Sequence, residues 1–255
     1  MIDKEKYVFL LGGHDLEMLE IKKILEEQGL KYLDNNLEWG AKLSSYKEYF
    51  NEGKTFVGIE LTKDIATPKN YIEIDHHNEN SNKPSSIEQI AELLKIELNH
   101  YQKLVAANDK GYIPAMEKMG ATKKEIDKIR LKDRNAQGVT KEDEKLALLS
   151  IQKKLFEING VISVNALTNK FSAITDRMYP CKRLLIYSEN EITYYGERAS
   201  VCAKKLKEQF EKVKLYSGGG PDGYFGIAQN KMSATSFEKL KLIIAGIIAL
   251  EFAEK

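Results

Sequence analysis

Along the first half of the chain, apolar and polar residues alternate in blocks that read as strands and helices. Tyr7-Val8-Phe9-Leu10-Leu11 is a continuous apolar run stopped by Gly12-Gly13, the pattern of a strand buried on both faces of a parallel sheet. His14-Asp15-Leu16-Glu17 follows, and apolar positions between 18 and 25 then recur at helical spacing up to Gly29. The same reading predicts a short strand at 31–33, a helix from Trp39 to Phe50, and a buried strand from Thr55 to Leu61 with Glu60 near its end. A strand from Tyr71 to Ile74 runs into Asp75-His76-His77. Pro84-Ser85-Ser86-Ile87-Glu88 opens a helix, with a serine as N-cap and an acid in the first turn. A further helix from His100 to Ala107 is expected to break at Asn108-Asp109-Lys110-Gly111. Strands alternating with helices indicate a parallel sheet covered by helices on both faces.

From Thr122 to about Ile158 the pattern is helical and highly charged, with an interruption at 135–138 and a fresh start at Thr140. The mixed-sign stretch from Lys123 to Arg134 reads as a solvated helix face. The texture changes after Asn159-Gly160. Residues 161–164 alternate, 184–187 and 192–195 flank a hairpin turn, and 200–210 is helical. Lys214-Leu215-Tyr216 is a short strand candidate, Gly218-Gly219-Gly220 a glycine loop, and 236–253 a closing helix. The fold class expected is α/β. A doubly wound parallel-sheet domain (1–158) joins, through a helical connector, a smaller α+β domain (159–255).

Composition narrows the function classes. The 255 residues are 42% hydrophobic and 30% charged, an ordinary globular balance. With 39 basic against 38 acidic side chains the net charge is +1, so no global field draws the chain to a nucleic-acid polymer or a membrane. Leu240 to Phe252 is too short to span a bilayer and carries Lys241, so it reads as a core helix. Cys181 and Cys202 lack metal spacing and suggest a reducing compartment; with no signal-peptide pattern, a cytoplasmic location is expected. Dinucleotide, Walker and Gly-x-Ser-x-Gly patterns are absent.

Two of the four histidines are adjacent, at 76 and 77, and follow an acid at a strand end. An oxygen ligand beside two imidazoles there is a common way to hold a catalytic divalent metal. Asp15, Glu17, Glu60 and Asp109 are also expected at strand ends of this first domain.

Taken together, Ile74-Asp75-His76-His77 with Pro84-Ser85-Ser86 after it resembles the signature of the Asp-His-His (DHH) phosphoesterase superfamily, which includes RecJ-type exonucleases and nanoRNases. The resemblance continues in order through His14-Asp15-Leu16-Glu17, Glu60, Ala107-Asn108-Asp109 to Pro114, and Gly218-Gly219-Gly220, the last as part of a diverged DHHA1-like substrate domain. It implies a hydrolase holding one or two Mn²⁺ or Mg²⁺ ions on Asp15, Glu17, Glu60, Asp75, His76 and Asp109, with water activated by the metal. It further implies that Asp75, His76 and His77 are catalytic, with His77 facing the substrate. His14, Arg198 and Gly218 to Gly220 would contact it, and Arg177, Lys182 and Arg183 are further phosphate contacts to consider. The substrate implied is a small phosphate ester, nucleotide or short oligonucleotide, and a homodimer is left open. Leu11 stands where the family has a metal-binding histidine, Glu17 and Glu60 where it has aspartates, and Pro221 where its glycine loop has a histidine. The alternative is therefore a protein of this fold that binds a nucleotide or phosphorylated ligand without hydrolysing it.

Overall fold

The computed structural model describes residues 3–253 apart from 39, 211–214, 220–221 and 230–232. The chain divides into two compact units, Met1–Gly138 and Val139–Lys255. The first runs β1 (Tyr7–Leu10), α1 (Leu16–Glu27), β2 (Tyr32–Leu33), β3 (Thr55–Ile59), β4 (Tyr71–Ile74), α2 (Ser86–Leu94), α3 (His100–Lys118) and α4 (Lys123–Ala136). Among the described residues its sheet has four parallel strands in the order β2-β1-β3-β4. The chain steps outward from β1 to β2 and then reverses to β3, so the sheet is doubly wound with its switch point between β1 and β3. Leu10 pairs with Gly58 and Ile59 with Ile74, which brings the C-terminal ends of three strands into line beside that point.

Both sheet faces are buried, as the unbroken apolar runs require. Phe9, Val57, Ile59 and Ile74 pack against Met18 and Ile21 of α1, Ile87 and Ile90 of α2 and Ala106 of α3. Val8, Leu10 and Phe56 pack against Leu43 and Tyr46 on the other face. Those two residues belong to a 3₁₀ segment, Leu43–Tyr49, and not to the helix expected over 39–50. They lie three positions apart, and a three-residue turn superposes them on one side. Trp39, where that helix was to begin, lies outside the described residues.

Helix α3 also departs from expectation. It runs through Asn108 and Asp109 and loses helical angles only at Gly111 (φ −158°, ψ 21°) and Tyr112 (φ 58°, ψ −149°). The cause is Pro114, whose ring clashes with the carbonyl four residues back, so the helix is interrupted just before it.

The second unit contains α5 (Lys141–Lys154), β5 (Leu155–Ile158), β6 (Val161–Asn165), α6 (Ser172–Met178), β7 (Arg183–Tyr187), β8 (Glu191–Gly196), α7 (Ala199–Gln209), β9 (Tyr216–Gly218), β10 (Tyr224–Ala228) and α8 (Ala234–Ala253). Six described strands form a mixed sheet in the order β5-β6-β7-β8-β10-β9, parallel only between β6 and β7. Residues 155–158, expected at the end of a helix, are strand β5. Asn159 (φ 51°) and Gly160 (φ 73°) both adopt positive φ and turn β5 back onto β6, the backbone of a two-residue hairpin. Helix α5 packs on α6 and β6, so it lies with the second unit, and the division falls after Gly138, earlier than the expected 158. Strand β9 begins at Tyr216, later than the strand expected over 214–216, of which Lys214 lies outside the described residues. Elements α6 and β10 had not been expected. Two cores flank the sheet: Tyr194, Phe225, Phe237, Ile244 and Ile248 on one side, Ala147, Val164, Ile174 and Ile186 on the other. Helix α8 buries one stripe only, and no helix among the described residues is long and apolar enough to cross a membrane.

Candidate metal centre

The first unit assembles its polar site from four chain segments at the strand ends. A Cβ on Gly12 would lie 2.5 Å from the Ile59 carbonyl oxygen, so only glycine lets the chain leaving β1 run this close to the end of β3. Asp15 then caps α1, its Oδ1 accepting the Met18 N–H at 2.8 Å, and this puts Glu17 in the buried first turn. Glu60 follows β3 with φ 52°, a left-handed conformation uncommon outside glycine that concentrates at functional sites. His76 comes from the end of β4 and Asp109 from α3 ahead of its break.

Ligand atoms of Glu17, Glu60, His76 and Asp109 all lie within 4.8 Å of one another. His76 Nε2 is 2.6 Å from Asp109 Oδ2, 3.5 Å from Glu60 Oε1 and 3.6 Å from Glu17 Oε2. Yet Glu17 Oε2, His76 Nε2 and Asp109 Oδ2 are buried with no hydrogen-bond partner. His76 and Asp109 form an ion-pair contact at that short distance. Buried polar atoms are normally paired, so three converging on one point without a partner fit a shared cation. Two of the carboxylates also take hydrogen bonds from α2, Glu17 through its other oxygen and Glu60 through the same oxygen that faces His76. Glu17 Oε1 accepts the Ile87 N–H at 3.1 Å, and Glu60 Oε1 accepts from Ser86 Oγ at 2.7 Å, both from the first turn of α2. Ser85, one of the two serines expected as N-cap, and the first-turn acid Glu88 form a capping box that fixes that turn.

The electrostatics match this geometry. Burial, with Glu60 and Asp109 nearby, holds the Asp15 carboxyl well above its ordinary pKa. Burial also raises Glu17; contact with His76 opposes it, and Asp109 and Glu60 add to the rise. For His76 burial alone would lower the pKa, but Asp109, Glu17 and Glu60 outweigh it and push the value up to about 12. One imidazolium cannot balance this many buried carboxylates, whereas a divalent cation can. Three carboxylates with one imidazole suit ions such as Mn²⁺ and Mg²⁺ better than sulfur-seeking metals.

Other expected residues lie elsewhere. Asp75 is not in the four-residue group: its Oδ1 accepts the His77 backbone N–H at 2.9 Å and lies 3.0 Å from His77 Nδ1, while Asn80 donates to Oδ2 at 3.3 Å. Burial works to raise its pKa, but these bonds win and lower it. His77 is exposed, its ring centroid 4.3 Å from that of His76, and it forms an overlapping candidate group with Glu60 and His76. His14 pairs with Asp34 at 3.1 Å, and Leu11 is buried in the core.

In the second unit, Gly218 ends β9 and Gly219 has φ 73°; Gly220 and Pro221 lie outside the described residues. The Arg198 N–H donates to Asp222 Oδ1 at 2.8 Å, and its guanidinium pairs with Glu251. Arg177 pairs with Glu144, and Lys182 and Arg183 with Glu197.

One part of the environment escaped the sequence reading. The stretch over 123–134, expected to be solvated, buries Arg130, Asp133 and Arg134. The signal was available, because these charges share the i, i+3, i+4, i+7, i+8 stripe of buried Ile126 and Ile129.

No sequence-family description matches the chain, and no curated protein matches it. Solved structures do. The pGpG-specific phosphodiesterase PggH of Vibrio cholerae superposes with a TM-score of 0.51 at 14% identity, covering 96% of this chain and 99% of that one. RecJ of Thermus thermophilus, solved in complex with Mn²⁺, superposes at 0.50 with 10% identity over 98% of this chain. The chain spans about half of RecJ, with 52% of that protein covered. The chain therefore shares its overall fold with these two proteins, as the resemblance to the DHH phosphoesterase superfamily implied.

Proposed function

We propose that the protein is a divalent-metal-dependent phosphoesterase acting on a small phosphate ester, nucleotide or short oligonucleotide. The observation that carries this reading is the buried convergence of Glu17, Glu60, His76 and Asp109, three of whose ligand atoms have no hydrogen-bond partner. When bound, Mn²⁺ or Mg²⁺ would supply a Lewis acid for the phosphoryl oxygens and a means of activating water at neutral pH. The chain's own groups do the rest. Glu17, Glu60, His76 and Asp109 hold the ion or ions, with Asp15 beside them. Asp75 holds His77 by Nδ1, which leaves Nε2 free to exchange a proton with an attacking or leaving oxygen. The second unit is read as a DHHA1-like substrate domain, and Gly218, Gly219 and Arg198 are its candidate substrate contacts. A net charge of +1 argues against a long polyanion, and the near full-length likeness to a dinucleotide phosphodiesterase supports a short one.

The test is release of mononucleotide or phosphate from a panel of dinucleotides and phosphomonoesters with Mn²⁺. His76→Ala and Asp109→Ala are expected to abolish it. Turnover that survives both substitutions would sink the assignment. A second reading, ligand binding without hydrolysis, is favoured by Leu11, which is buried where the resemblance has a ligand histidine. Tight Mn²⁺ and nucleotide binding with no turnover on any panel member would establish it instead.

A further inference from the structure

Arg130 and Asp133 form an ion pair on α4 at 2.7 Å, 7% and 5% exposed. Arg130 Nη1 also donates to Asn108 Oδ1 at 2.8 Å, and its guanidinium carbon lies 4.6 Å from the centre of the Tyr112 ring. Asp133 Oδ1 accepts the Leu16 N–H at 3.3 Å, one of the amides left free at the start of α1, and Gln137 donates to Oδ2 at 3.2 Å. Leu16 sits between Asp15 and Glu17, Asn108 next to Asp109, and Tyr112 three residues further on. Tyr112 occupies a backbone region that is essentially restricted to glycine and persists only where its surroundings constrain it, and the Arg130 guanidinium over its ring is one such contact. A buried ion pair is a poor device for stability, since apolar residues of similar volume often serve better. Its reach to both ligand-bearing segments suggests another purpose.

We infer that Arg130 and Asp133 are positioning residues for the metal centre, a clamp on α4 that sets the distance between the Asp15–Glu17 turn and Asp109. The inference rests on the metal-binding reading of Glu17, Glu60, His76 and Asp109. Outer partners of this kind commonly govern metal affinity without touching the ion.

The experiment is calorimetric titration of the full chain with Mn²⁺, alongside the metal-free melting temperature. Arg130→Met and Asp133→Asn should weaken Mn²⁺ binding about 10–100-fold. Arg130→Lys, which keeps the charge but loses the planar stack, should fall between them and the parent. Lys124→Ala, on the exposed face of α4, should bind as the parent does. A merely structural role would lower the melting temperature and leave the dissociation constant alone, and that result overturns the clamp. If Arg130→Met fails to fold, Asp133→Asn and Arg130→Lys carry the test, and parental affinity in both overturns it. A parent chain that binds no Mn²⁺ overturns the metal centre itself, and the clamp with it.

Discussion

Glu17 of α1 accepts the backbone N–H of Ile87 in α2 at 3.1 Å, so one carboxylate ties together the first turns of two helices distant in sequence. Only its second oxygen is left for a metal. In Glu17→Gln the amide oxygen can keep the Ile87 bond while a charge disfavoured by burial disappears. The metal-free variant should melt about 2–4 °C higher, the size of shift expected from roughly 1 kcal/mol in a chain of this length. The stabilisation by Mn²⁺ should vanish. Scanning calorimetry with and without the ion reads both effects.

Mn²⁺ should stabilise the parent by mass action. At a free concentration 100 times its dissociation constant the gain is about 2.7 kcal/mol, and a chelator should reverse it. His76→Ala should show no such shift.

Asp75 and His77 should separate binding from turnover. Their contact lies outside the four-residue group, so His77→Ala and Asp75→Asn should retain Mn²⁺ affinity. His77→Ala should lose about 10²–10⁴-fold in kcat, the usual contribution of a general acid or base. Loss of Mn²⁺ binding in Asp75→Asn would return Asp75 to the ligand set.

Asp34 gives a pH dependence from a residue outside the four-residue group. Burial would raise its pKa, but Lys22 and His14 lower it to about 2, from an ordinary 3.8. A folded-state value below the unfolded one stabilises the protein above about pH 4, and the benefit is lost as pH falls toward 2. Asp34→Asn should therefore be less stable than the parent at pH 7, by no more than about 1 kcal/mol for a partly solvated pair. The gap should close between pH 4 and 2 in denaturant titrations.

The hairpin turn between β5 and β6 depends on Gly160 at φ 73°. Gly160→Ala should cost on the order of 1 kcal/mol, because a side chain there is strained in the left-handed region. Urea unfolding followed in the second unit measures it.

The sequence displayed some of this plainly and hid the rest for physical reasons. Tyr7 to Leu11 and Thr55 to Leu61 were readable as strands because burial on both faces forces unbroken apolar runs. Ser85 and Glu88 announced the start of α2 through their capping box. The α3 break was misplaced because Asn108 and Asp109 look like turn formers, whereas Asn108 is satisfied in the interior by Arg130 and Pro114 sets the break. Arg130 and Asp133 look like solvated charges in the sequence because composition cannot show that two charges on an apolar stripe satisfy each other. Strand β5 was read as helix, although Asn159-Gly160 carries a hairpin signal strong enough to have ended it.

The hold of α2 on both Glu17 and Glu60 has a kinetic consequence. The centre draws its ligands from β-strand ends and from α1 and α3, and two of the four are braced by a helix that must dock first. Such contacts close long loops, which are costly in entropy and late to form. On the proposed reading, a nascent or partly unfolded chain would offer no preformed place for the ion, and uptake would wait until the first unit has condensed. A bound ion would then act as a latch on a finished fold, slowing unfolding while leaving the rate of folding nearly unchanged.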